Sequence, residues 1–172
     1  MSVDQCMHSL FGVSKLSGDL MVQEYARYFG LKTGVFRCGC VTGARHAGVP
    51  LHGFLSYMVK CKKENKVYTI NGYKGKQVRD NIHAYDLITA IDNFISNPRP
   101  GEVYNMGGGR HSNISVLEAL NKLDIKDWEY VDEPRKGDHK WYISDVGKFR
   151  RHYPDWNYTY NMESILENLI ST

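Results

Sequence analysis

The chain has 172 residues, 42% of them apolar and 24% charged, with a formal net charge of +3. That is enough apolar material for one sizeable core, which excludes a disordered chain. No run approaches the ~18 consecutive apolar residues of a membrane-spanning helix, the first residues lack the basic start and apolar stretch of a secretory signal, and the positive charge is too mild and scattered for a nucleic-acid surface.

Four cysteines are present, Cys6, Cys38, Cys40 and Cys61. Cys38 and Cys40 have a one-residue spacer and no second pair, which is not a zinc-loop pattern. Reduced thiols in a cytoplasmic protein are expected, with no metal site.

The periodicity predicts a helix over 8–29, with Val13, Leu16, Leu20 and Met21 on one stripe, continued by Tyr25, Tyr28 and Phe29. Gly30 is its stop. Lys32–Arg37 reads as a short buried strand, and 38–53, with four glycines and one proline, as a long loop of the kind that tends to carry function. A helix over 53–64, a strand over 67–70 and a turn over 72–75 follow. Residues 82–97 form an amphipathic helix with Ile88, Ile91 and Ile95 on one face. Residues 103–106 read as a strand running into Gly107-Gly108-Gly109. Ser115-Val-Leu-Glu118 is a capping box at a helix start. Short strands at 128–131 and 140–144 and a final helix with Met162, Ile165, Leu166 and Leu169 complete the chain. Strands alternating with helices indicate an α/β architecture.

Four places hold chemistry. Phe11 and Lys15 are four apart and share one helical face. A lysine on the inner face of a helix lined by Leu and Val is unusual, because burying an ammonium is costly unless it is paired; a stem that snorkels to solvent is the plainer reading. Gly75-Lys-Gln-Val-Arg79-Asp80, with His83 and Asp86 beyond it, delivers an arginine and an aspartate just before an apolar helix. Pro134-Arg135-Lys-Gly-Asp138 is a second arginine-bearing loop. Two such loops suit a diphosphate clamp, since the guanidinium fork matches phosphate oxygens; an exposed Arg–Asp pair is the alternative and is worth little. The triple glycine at 107–109 precedes a helix, where a glycine turn can cradle phosphate; strand-to-helix packing is the plainer reading.

Taken in order, these segments resemble the extended short-chain dehydrogenase/reductase family, in its nucleotide-sugar epimerase and dehydratase branch. The resemblance runs from about residue 4 to the end. It is carried by Phe11-Gly-Val-Ser-Lys15, Val35-Phe-Arg37 with Thr42-Gly43, Gly75-Lys-Gln-Val-Arg-Asp80 with His83 and Asp86, Tyr104-Asn-Met-Gly-Gly-Gly109, Arg135-Lys-Gly-Asp138 and Asp145. Within the branch, the first and third look most like CDP-tyvelose (CDP-paratose) 2-epimerases.

The resemblance implies the C-terminal part of a Rossmann-type α/β fold with its small substrate-binding region. The whole chain would be a single partial domain, with 1–45 a remnant of the dinucleotide-binding sheet and 46–172 mainly the nucleotide-sugar-binding region. It implies NAD as cofactor and a nucleotide-sugar, CDP-linked, as substrate, with a sugar carbon inverted through transient oxidation. Lys15 matches the family lysine that lowers the pKa of a catalytic tyrosine and holds the nicotinamide ribose. Arg79 and Arg135 match the arginines of the diphosphate. Cys40 stands at a substrate-touching position, Leu51 and His52 match the loop lining the nucleotide-sugar, and Thr69 and Asn71 fall near the edge of the base.

Two departures follow from the same resemblance. No Gly-x-Gly-x-x-Gly fingerprint occurs in the chain, so the dinucleotide half of the family fold is expected to be missing, with the apolar face of helix 8–29 left to self-association or to a separate N-terminal half. Phe11 stands at the tyrosine position and has no proton to exchange; loss of a general base costs ~10²–10⁴-fold. Tyr25 and Tyr28 lie turns away, and His8 is one turn earlier. The alternative function is a non-catalytic nucleotide-sugar binding module, a truncated pseudoenzyme.

Overall fold

In a computed structural model, which describes residues 9–50 and 52–171, three small parallel-rich sheets are held by six α-helices. Helix α1 (Leu10–Phe29) starts at Ser9, whose hydroxyl accepts from the Gly12 amide, and ends at Gly30, whose φ of 66° is the left-handed conformation that glycine adopts without strain. Strand β1 (Gly34–Cys38) follows and pairs in parallel with β5 (Glu102–Met106). The helix is tied to β1 by an ion pair: Arg37 Nε and Nη2 donate to the Asp19 carboxylate at 2.6 and 3.0 Å.

The expected long loop contains a strand, β2 (Cys40–Thr42), and precedes α2 (Phe54–Lys63). Strand β3 (Tyr68–Asn71) pairs in parallel with β7 (Trp128–Val131). A one-turn 3₁₀ segment at Tyr73–Gly75 leads into β4 (Val78–His83).

Strand β4 corrects the sequence reading, which gave Arg79 and Asp80 no strand, between a turn at 72–75 and a helix from 82. It is the centre of its sheet: Asn81–His83 pair with β2, and Val78–Asp80 with the antiparallel β6 (Asn113–Ser115), while the two-residue β8 (Trp141–Tyr142) lies parallel along Val78 and Arg79. Its sequence, V-R-D-N-I-H, has no apolar alternation, yet Asp80, Asn81 and His83 are buried. The fold offsets part of the cost of burying Asp80 with hydrogen bonds to one of its two oxygens. Its Oδ2 accepts from the Gly109 amide at 3.0 Å and the Ser144 amide at 2.8 Å. Gly39 and Gly107 pass so close that a Cβ at either would collide with this carboxylate. One aspartate therefore gathers the chain after β1, β5 and β8.

Helix α3 (Ala84–Ser96) packs through Asp86, Ala90 and Phe94, and turns the expected stripe outward: Ile88 and Ile95 are 63% and 67% exposed. Helix α4 (Val116–Lys122) begins with the expected capping box, Ser115 and Glu118 each satisfying the other's backbone amide. Helix α5 (Gly147–His152) lies unforeseen in the segment after β8, and α6 (Met162–Ile170) closes the chain.

Two apolar clusters result. One joins α2, β3, α4 and α6, with Met58, Ile70, Leu120 and Ile165 at its centre. Each such buried side chain stabilises the fold by about 1.5–3 kcal/mol. The other joins β1, α3, β5 and α5 around Tyr104, Met106, Phe149 and Trp156. Asp86 sits beside the second cluster, accepting the amides of Thr159 and Tyr160 at 2.8 and 3.1 Å, so the segment before α6 is held to the start of α3.

Candidate functional site

A cleft of about 420 Å³ opens between β2, β3, β4 and the loop after β7. Residues from five separate stretches line it. Cys40 opens β2, Thr69 and Asn71 are on β3, Arg79 is on β4, His52 lies just before α2, and Arg135 comes from the 132–140 segment. Six of the residues singled out in the sequence thus share one cavity. Leu51 lies outside the described residues, as does His8.

The two arginines meet at one carboxylate. Arg79 Nη2 is 2.5 Å from Asp138 Oδ1, and Arg135 Nη2 is 3.8 Å from Asp138 Oδ2. Arg79 and Asp138 are largely buried, with side chains 15% and 9% exposed. Arg79 also donates to the Val78 carbonyl, and Arg135 to the Pro50 carbonyl at 3.0 Å. The second of these bonds joins the 132–140 segment to the loop that carries His52. That loop is closed on itself, Val49 and His52 exchanging both backbone hydrogen bonds at 2.9 and 3.0 Å. With Lys136 the cleft holds three cationic side chains against Asp138.

Cys40 faces this cleft and a neighbouring cavity of about 700 Å³, and His52 and Gly53 line both. The His52 ring meets His46 edge-on, with centroids 5.3 Å apart. Burial, and then the neighbouring His52, lowers the His46 pKa. Burial, reinforced by the nearby Asp80 charge, pushes the Cys40 thiol up to about 11, so it is a neutral contact group at neutral pH. Tyr68, in the cleft wall, is pushed up to about 12 by burial and is no base either.

Phe11 and Lys15 lie apart from the cleft. They do share a helical face: the Lys15 ammonium sits 5.3 Å from the centroid of the Phe11 ring. The expectation that this face turns inward is corrected. Lys15 is exposed and Phe11 is 71% exposed, because α1 is held to the chain around β1 through its later turns, at Asp19, Val22 and the buried Ala26. His83 and Asp86 are structural: His83 caps α3 and stacks on Tyr160, its ring centroid 3.7 Å away, and Asp86 holds the Thr159 and Tyr160 amides.

Sequence reasoning passed over three cleft residues. Asp138 was visible as the acid three residues after Arg135. Gln77 was visible inside the Gly75–Asp80 segment, but only the structure shows it buried in the cleft wall. Phe54, at the start of α2, gave no signal beyond helix periodicity.

A model of the NAD dependent epimerase/dehydratase family matches residues 5–107. The chain belongs to this family. It is 32% identical over 161 residues to CDP-paratose 2-epimerase from Salmonella typhi, an alignment covering 87% of this chain and 47% of that protein. Among solved structures, it superposes on dTDP-glucose 4,6-dehydratase from Bacillus anthracis, in complex with NAD, with a TM-score of 0.79 and 27% identity, over 99% of this chain and 54% of that one. UDP-glucose 4-epimerase from Thermotoga maritima, with UDP-glucose, gives a TM-score of 0.81 at 26% identity, over 94% of this chain and 52% of that one. The chain thus spans about half the length of the relatives it matches. Its fold is the Rossmann-type α/β fold of these epimerases and dehydratases over that half. The C-terminal ends of the parallel strands β1 and β5, where such folds bind their ligands, run directly into Gly39 and Gly107 beside the site.

Proposed function

We propose that the chain is the nucleotide-sugar-binding part of an NAD-dependent nucleoside-diphosphate-sugar epimerase of the CDP-tyvelose (CDP-paratose) 2-epimerase kind. The observation that carries this reading is the meeting of Arg79 and Arg135, from distant parts of the sequence, in one cleft with Cys40, His52, Thr69 and Asn71. Planar guanidinium forks are suited to the oxygens of a diphosphate. The apolar walls given by Phe54, Ile70 and Val116 suit a flat base. Cys40 and His52, shared with the neighbouring cavity, would border the sugar. Residues 1–45 would then belong to the dinucleotide-binding sheet and 46–172 mainly to the substrate region, in a cytoplasmic protein.

The residues present fit one end of the cofactor. Lys15 is exposed, has no ionic partner among the described residues, and would hold the nicotinamide ribose. The chain offers no glycine fingerprint for the pyrophosphate. Bound NAD supplies reversible removal of a hydride from a sugar carbon. The chain's own part is to fix the diphosphate through Arg79 and Arg135 and so present the sugar in a constant pose.

The outward face of α1 supports a partner. Leu10, Phe11, Val13, Leu20 and Met21 are all exposed there, and β1 pairs only with β5 among the described residues. An N-terminal half of the same enzyme, or a second copy, would cover such a face. A well-folded monomer in sedimentation, unchanged by the N-terminal half, would count against this.

Phe11 favours a second reading, a binding module without turnover. Phenylalanine offers no proton, and the buried Tyr68 remains neutral, so neither serves as base. Calorimetric titration with CDP, UDP and NAD tests both readings. Binding of CDP or UDP that is lost in Arg79→Ala and Arg135→Ala supports the cleft; no binding of either nucleotide overturns it. Turnover of a nucleotide-sugar in the complete enzyme separates the epimerase from the binding module.

A further inference from the structure

A separate cavity of about 840 Å³ opens between the turn after β5, strand β8 and the start of α5, and it shares no described lining residue with the cleft. Its volume is that of a small-molecule site. The triple glycine reaches it through Gly109, but not as an amide cradle: the Gly109 N–H is spent on Asp80, and Gly107 and Gly108 are buried outside the lining. What faces the cavity instead is a pair of guanidinium groups, Arg110 on the turn and Arg150 on α5. Neither donates to a protein acceptor among the described residues. Both stand on fixed supports. The turn is closed by Asn113 Nδ2, which donates to the Gly109 and Arg110 carbonyls at 3.3 and 3.1 Å. Arg150 lies over the Tyr158 ring, 5.0 Å from its centroid, and the Tyr158 hydroxyl is anchored on the Gly107 carbonyl. A guanidinium held by a ring face keeps its N–H donors for an acceptor. The carboxylate in the lining, Asp145, accepts the Gly147 amide at 2.8 Å and pairs with neither arginine. The remaining wall is apolar: Trp141 is 66% exposed, and Ile143 and Val146 line the same cavity.

We propose that this cavity is a second binding site, for a phosphorylated small molecule with a ring body. Arg110 and Arg150 take the phosphate, and the ring lies on the Trp141 indole. Guanidinium forks match phosphate oxygens and bind them through charge-assisted hydrogen bonds. Two such charges against one carboxylate favour an anion over a neutral ring. The indole supplies a large, rigid, flat contact, and the second oxygen of Asp145 can accept from a ring hydroxyl or amino group. This chemistry is common to nucleoside monophosphates and sugar phosphates. The proposal does not depend on how the cleft is read, since the two places have no described residue in common.

The test is titration of the 172-residue chain with AMP, glucose 1-phosphate and inorganic phosphate at one salt concentration, read by calorimetry and by tryptophan fluorescence. Trp156 is buried and Trp128 is on β7, so a signal that disappears in Trp141→Phe reports this cavity. The expected result is that AMP or glucose 1-phosphate binds roughly tenfold or more tightly than inorganic phosphate and weakens by a similar factor in Arg110→Ala and in Arg150→Ala. Binding should survive Arg79→Ala, which disables the cleft instead. Whichever of the two ring compounds binds names the source of the phosphate. The proposal is overturned if neither exceeds inorganic phosphate, if binding persists in both arginine variants, or if the Trp141 signal is unmoved. It is overturned as well if Arg79→Ala abolishes binding, because the ligand then sits in the cleft. Melting curves confirm that the variants are folded; should Arg150→Ala lose its fold with its contact to Tyr158, Arg110→Ala and Trp141→Phe, both at exposed positions, decide.

Discussion

Asp138 meets Arg79 through one carboxylate oxygen and faces Arg135 with the other, at 2.5 and 3.8 Å. An internal anion therefore occupies the arginines that a ligand diphosphate would need. Removing it has two opposed effects. Asp138→Asn leaves a largely buried arginine without its counter-charge, which should lower stability by about 3 kcal/mol, as for other broken buried pairs. It also frees both forks, so CDP or UDP should bind tighter and restore the lost melting temperature. Calorimetry and thermal melts with and without nucleotide check both halves. Weaker nucleotide binding in the variant would mean that Asp138 positions the arginines instead of competing for them.

Cys40 offers a chemical probe of the same cleft. Its thiol is held up to about 11, first by burial and then by Asp80, so only a small fraction is thiolate at pH 8. Alkylation by iodoacetamide should be slow there and should accelerate about tenfold per pH unit toward the thiol's pKa. Nucleoside diphosphate should protect Cys40, which lines the cleft, and leave the exposed Cys38 unprotected. Mass-spectrometric mapping of the alkylated peptide, with and without CDP, reads this out. Equal protection of both cysteines would argue for a global change and against occupancy of the cleft.

Helices α1 and α4 were legible because periodicity and caps agree along them, and α5, which has no side-chain cap, was not. Leu10–Phe29 has its serine cap and its glycine stop, and Ser115 and Glu118 form a complete capping box. Strand β4 was not legible. It is buried through polar groups, and their partners, the amides of Gly109 and Ser144, are 29 and 64 residues away in sequence. Nor can periodicity tell an inward stripe from an outward one. Ile88 and Ile95 of α3, and Val13, Leu20 and Met21 of α1, are regular and exposed, while Ala90 and Ala26 are buried. The cleft residues were named by resemblance; that they converge is a property of how β2, β3 and β4 come together.

Asp86 should be among the most sensitive positions in the fold. Its buried carboxylate takes the amides of Thr159 and Tyr160, and its backbone carbonyl takes the Trp156 indole N–H at 3.3 Å. Asp86→Ala removes two charge-assisted bonds and orphans two amides, which should cost about 3–5 kcal/mol. Denaturant unfolding gives the number. A loss below about 1 kcal/mol would show that water replaces the carboxylate there without difficulty.

Acid should loosen α1 before it unfolds the rest. The hydrogen bonds from Arg37 hold the Asp19 carboxyl below the ordinary carboxylate value, with Gln23 adding to the effect and burial opposing it. A carboxyl whose folded pKa is depressed stabilises the folded state fully above its unfolded value, near ~3.9, and that contribution is lost as pH falls through the folded pKa. The Asp19–Arg37 ion pair ties α1 to β1, and Thr33 adds one hydrogen bond to the Val22 carbonyl at 2.8 Å. Lowering the pH from 5 toward 3, roughly the window in which an ordinary carboxyl and then a depressed one titrate, should therefore speed hydrogen exchange in 10–29 ahead of the amides of α6, whose apolar face is buried. Asp19→Asn should show the same fast exchange already at pH 7 and lose the acid dependence. If α1 and α6 open together across that range in the unmodified chain, the helix is held by its contacts at Ala26 and Val22, and the ion pair contributes little.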